Sequence, residues 1–197
     1  MSLRFSVATC HIVGVSPLSQ SRQHSEPQLQ GENKDDYDAR TWRLKMNVSP
    51  ETGTVVIPAH GMMQAIIGAA RYSSEQIPGQ GKKTWTAKFA AGISIMADID
   101  TGIDPETIPM VTISANADGV RGSGKRVTRR FPIMHQWDAK FEVWILDPII
   151  TEPVFRKMLA TAGMFIGLGR FRPEKGGTNG RFRVESVAWQ DNRQIAV

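Results

Sequence analysis

The chain has 197 residues, 41% of them hydrophobic and 22% charged, which fits one globular domain with a substantial core. Its net charge of +5 and isoelectric point near 9.6 favour a polyanionic partner, or a basic surface kept for solubility. A single cysteine, Cys10, excludes an internal disulfide and points to a reducing, cytoplasmic setting. Neither a secretory leader nor an apolar segment of the roughly 20 residues needed to span a bilayer is expected, so the reading contains no membrane.

In chain order, Arg4 to Val15 alternates as a first strand, ended by Gly14-Val15-Ser16-Pro17. Ser16 to Arg40 is polar, rich in glutamine, and carries the acidic residues Glu32, Asp35, Asp36 and Asp38. It reads as a long insertion arm (16–40) able to reach a neighbouring protomer, and hence as a route to a homo-oligomer. The acidic run lacks spaced histidines or a calcium-loop glycine, so it is a solvated face and no metal is expected. Alternation returns over Thr41–Val48 as a second strand, and Thr54–Ile57 is a third, broken by Pro58.

Met63, Ile66, Ile67 and Ala70 share one helical face, which predicts an amphipathic helix from Gly61 to Tyr72. A loop with Lys82 and Lys83 precedes Trp85, which either stacks on a nucleic-acid strand or begins a strand over Thr84–Met96. An Asp- and Pro-rich stretch (98–109) leads to a strand over Met110–Ala115. The basic segment 116–131 follows, with Arg121, Lys125, Arg126, Arg129 and Arg130. It is a hairpin tip of backbone-contacting cations closed by Pro132, since the Gly-Lys-Ser/Thr spacing of a P-loop is missing. Trp137–Leu146 alternates as a strand. Thr151 and Pro153 open a helix striped by Phe155, Met158, Leu159, Ala162 and Ile166. Gly180–Trp189 is the last strand, with Gln190–Val197 a fraying tail.

Between that last helix and strand lies the most distinctive stretch, 167–183. Gly167, Gly169, Gly176 and Gly177 alternate with Arg170, Arg172, Lys175 and Arg181, and Phe171 and Phe182 are interleaved. A backbone freed by glycine can lie against a phosphate chain, with cations on the phosphates and Phe171 under a base. The alternative is a helix C-cap followed by a wide solvated turn.

Strand, insertion, helix and strands, then strand, helix, glycine-rich loop and strand, describe an α+β, ferredoxin-like antiparallel sheet with two packed helices. Val56-Ile57-Pro58-Ala59-His60-Gly61-Met62, running into the first helix, and Phe165-Ile166-Gly167-Leu168-Gly169-Arg170-Phe171 with Gly180-Arg181-Phe182 give this order a family likeness. The chain resembles the RAMP superfamily of CRISPR-associated proteins, in particular the backbone subunits that line a guide RNA, and also bacteriophage proteins built on the same plan.

The resemblance implies a non-enzymatic binder of single-stranded DNA or RNA, free of cofactors and able to form filaments along the strand. Two other readings stand beside it. One is a metal-independent endoribonuclease drawing on His11, His24, His60 or His135. The other is a structural or inhibitor protein whose basic face meets an acidic protein.

Overall fold

A computed structural model describes residues 2–116, 124 and 126–196. Its central sheet is built from β1 (Ser2–Gly14), β4 (Ile93–Ser94), β8 (Asp138–Ile145) and β9 (Phe182–Ala196), in the order β4-β8-β1-β9 with every neighbour antiparallel. Helices α2 (Ala59–Ser73) and α4 (Glu152–Thr161) are the crossovers. With β1, α2, β4, β8, α4 and β9 in chain order, this is the ferredoxin-like βαββαβ arrangement.

The inward face of β1 is Ala8, Cys10 and Ile12. They pack in one core with Val143 and Phe141 of β8, Ile66 and Ala70 of α2, and Phe155 and Leu159 of α4. Burial drives the Cys10 thiol up to about 12, so it is inert filling. On the other face His11 bonds Asp138 at 2.9 Å, a structural role.

Two smaller sheets flank the central one. β3 (Val55–Ile57) pairs with β5 (Ile99–Ile103), inside the stretch expected to be irregular. β6 (Met110–Asn116) and β7 (Arg126–Met134) form a two-stranded ribbon, with β2 (Leu18–Ser19) joining β7 at Ile133 and Met134. Pro132 therefore lies within β7 and does not close it, at a position that β2 does not reach.

Four expectations are corrected. The span Thr84–Met96 is mainly helix α3 (Trp85–Gly92), because Trp85 and Phe89 stand four residues apart and bury together. Trp85 is 5% exposed and presents no stacking surface. Thr41–Val48 is not a strand but the end of α1 (Lys34–Thr41) and a 3-10 turn, Trp42–Lys45, from which Arg43 donates to the Pro105 carbonyl. The tail does not fray at Gln190, since β9 pairs with β1 out to Ala196.

The arm belongs to the body at both ends. Leu18 is a core residue. The Gln20 amide donates to the Val56 carbonyl at 2.8 Å and accepts from the Asn47 N–H at 2.7 Å. At the other end the acidic run faces the basic ribbon. Asp38 is buried, takes Lys45 Nζ at 2.5 Å and the Arg130 N–H at 2.6 Å, and Asp35 pairs with the Arg130 guanidinium at 2.9 Å. The Arg130 guanidinium hydrogen-bonded to Asp35 holds that carboxyl below the usual range.

Asp38→Asn should leave a donor facing donors and cost about 2 kcal/mol, a fall in melting temperature of roughly 4–8 °C for a chain this size. An unchanged melting curve would free α1 from any role in holding β7.

Candidate nucleic-acid interface

After α4 the helix widens into a π-turn, Ala162–Ile166, and Gly167 ends it with its N–H on the Ala162 carbonyl. The loop that follows is fixed by backbone bonds. Leu168 N–H reaches the Gly180 carbonyl at 3.0 Å, Arg170 N–H the Ser19 carbonyl at 2.7 Å, and Asn179 N–H the Phe171 carbonyl at 2.9 Å. A Cβ on Gly177 would overlap the Phe171 carbonyl oxygen. The glycines that were expected to bring this loop near a ligand thus also fold it tightly on itself and onto β2.

The ordered loop forms one wall of a groove of about 570 Å³. Gly167, Gly169, Arg170 and Arg172 line that wall. Gln20, Ser21 and Arg22 line a second, and the exposed face of α2 (His60, Gly61, Gln64, Arg71) a third. Four arginines therefore border it. Arg172 is neutralised by Glu174 at 2.8 Å.

Arg170 differs. Its guanidinium carbon lies 3.5 Å from the Phe131 ring centroid and 3.7 Å from that of Phe171, and among the described residues no carboxylate pairs with it. Burial pulls it down to about 10, so at neutral pH it is a charged, partly desolvated cation without a counter-charge. Arg129 extends from the same face of β7 as Phe131, two residues away. The cationic surface thus continues onto the ribbon.

The other expected site residues are scattered. Arg126 donates to Ser114 Oγ and the Ser114 carbonyl, and Arg130 is held by Asp35. Arg181 donates to the Met164 carbonyl. Lys175 and Gly176 lie at the far turn of the loop, and Lys175 is 3.7 Å from Glu174. Lys82 and Lys83 are exposed beyond the C-terminal end of α2 and do not line the groove. Arg121 and Lys125 lie outside the described residues.

Sequence reasoning did not find Arg22, Gln64 or Arg71. The helical spacing of Gly61, Gln64 and Arg71 marks one face of α2, but only the fold shows that the glycine-rich loop stands opposite. Among the described residues no group of His, Cys, Asp and Glu is arranged to hold a metal, and no helix is long and apolar enough to cross a membrane.

The chain thus combines a ferredoxin-like sheet with a cationic groove between its first crossover helix and a glycine-rich loop. Its fold is shared by a known structure. A chain of the Type III-B Cmr-beta bound to cognate target RNA superposes with a TM-score of 0.54 at 10% identity, covering 95% of this chain and 61% of that one. Cmr6 from Pyrococcus furiosus aligns at a TM-score of 0.49 and 13% identity, over 90% of this chain and 98% of its own. This chain thus spans about 61% of the length of the first of these. No protein-family model and no curated protein matches the sequence.

Proposed function

We propose that the protein binds single-stranded nucleic acid in this groove, without catalysis and largely without regard to sequence, and that copies assemble along the strand. The observation that carries the proposal is Arg170. A desolvated guanidinium held between two rings with no acid beside it is poised to take a phosphate, which supplies the missing counter-charge. Arg22, Arg71 and Arg129 offer further phosphate contacts along the same surface. The Type III-B Cmr-beta structure of like fold is itself bound to target RNA, which supports the reading. A phage origin and a cytoplasmic setting accord with the resemblance in the sequence and belong to the same proposal.

Labelled single-stranded RNA and DNA, with duplex as a control, provide the test. With about four phosphates neutralised, the log–log salt slope should be near −2.8 for single strands, roughly a fiftyfold loss of affinity over a fourfold rise in salt. A flat response would sink the proposal. The same incubation tests the endoribonuclease reading, which is favoured by one observation, the place of His60 in the groove lining. Cleavage of RNA that disappears in His60→Ala would replace binding by catalysis.

A further inference from the structure

Tyr72 and Phe165 are 59% and 51% exposed, yet they stack on each other with centroids 5.1 Å apart and planes 17° apart. Large aromatic side chains are costly to leave in water, and this pair comes from two different elements, the last turn of α2 and the π-turn that leads into the glycine-rich loop. Its place relative to the groove suggests what covers it.

Gly61, Ala65, Gly68 and Tyr72 fall at i, i+4, i+7 and i+11 on one face of α2. Gly61 and Ala65 line the groove. Gly68 is so close to Ile166, itself a lining residue, that a Cβ there would stand 3.3 Å from it. Gly61 and Ala65 thus belong to the groove floor, Gly68 is covered by Ile166, and Tyr72 with Phe165 stands beyond that contact, beside the lining residues Arg71 and Ile166 and about 16 Å from Gly61 at the helical rise of 1.5 Å per residue. Arg71, which borders the groove, precedes Tyr72 in the chain.

We infer that the Tyr72–Phe165 pair is a stacking platform for a base of the strand, placed where the strand leaves the groove. The inference rests on the proposed single-strand binding and adds a second contact of a different kind. Phosphates meet cations near Arg170, and a few nucleotides along a base meets π surface. Each of the two residues is more than half exposed, which leaves aromatic surface for a third ring to join. Stacking of this kind tolerates every base, in keeping with binding that does not read sequence.

Tyr72→Ala/Phe165→Ala should be compared with the unaltered protein on an oligothymidylate and on an abasic strand of the same length. The expected result is a loss of roughly five- to a hundredfold in affinity for the strand with bases, no change for the abasic strand, and an unaltered salt slope. Tyr72→Phe/Phe165→Tyr, which keeps both rings, should bind as the unaltered protein does. If the double alanine variant melts early, the two single alanine variants carry the same comparison.

Equal losses on both strands, or no loss on either, would overturn the platform while leaving the groove in place. Unchanged affinity accompanied by a lower sedimentation coefficient of the nucleic-acid-free protein would assign the pair to a contact between copies, and would also overturn it. Failure of the unaltered protein to bind any strand would overturn the groove itself.

Discussion

Replacing Arg170 by methionine is expected to weaken strand binding roughly ten- to a hundredfold, the worth of one charge-assisted hydrogen bond, while leaving the melting temperature nearly unchanged. Two effects oppose each other in the free protein. Burial disfavours the charged guanidinium, which is why it is pulled down to about 10. The Phe131 and Phe171 rings, at 3.5 and 3.7 Å, stabilise it by about 0.5–2 kcal/mol each. Methionine keeps an adaptable apolar body between the rings and removes both effects together.

The net change in stability should therefore stay within about 1 kcal/mol, or a shift of roughly 2–4 °C. The salt slope should become shallower by about 0.7, one phosphate contact. Arg170→Lys should restore the slope but not the full affinity, because an ammonium lacks the planar face that stacks between two rings. A variant that melts early and binds normally would make Arg170 a packing residue and remove the central support for the function proposed.

Much of the fold was legible because its signals are local. The stripe Phe155, Met158, Leu159 is buried as its spacing predicts, and the Met63 to Ala70 pattern marks α2. The helix α3 was missed, the span being taken for a strand, although Trp85 and Phe89 stand four residues apart and both are buried.

The partner of Arg130 was not legible. Nothing in a basic run and an acidic run 95 residues apart says that Arg130 and Asp35 meet, so a cation held by an acid was counted with those offered to a ligand. The groove escaped for the same reason. Its walls come from segments near residues 20, 60 and 170, and only the sheet order brings them together. The glycine-rich loop forms one of those walls, and part of the reason for its glycines lies within the loop.

Gly177 separates those two reasons, and replacing it by valine is expected to lower stability and strand binding in step. Its N–H bonds the Arg172 carbonyl at 3.1 Å, and its Cα faces the Phe171 carbonyl so closely that a Cβ would overlap it. The obstacle is backbone and cannot rotate away. Phe171 is already held at a positive φ of 57°, accepts from the Asn179 N–H, and carries the Arg170 guanidinium on its ring. Valine must therefore open the turn, break both backbone bonds and move the platform beneath Arg170.

A cost above about 4 kcal/mol is expected, lowering the melting temperature by about 10 °C or more. Gly176→Ala is the control. Gly176 has a positive φ of 73°, but a Cβ there meets nothing within 4 Å, so alanine should cost only about 1 kcal/mol of backbone strain and leave binding intact. If Gly177→Val instead keeps its melting temperature and loses only affinity, the glycine serves the approach of a strand and not the closure of the loop. Binding and melting measured on the same two variants decide between these.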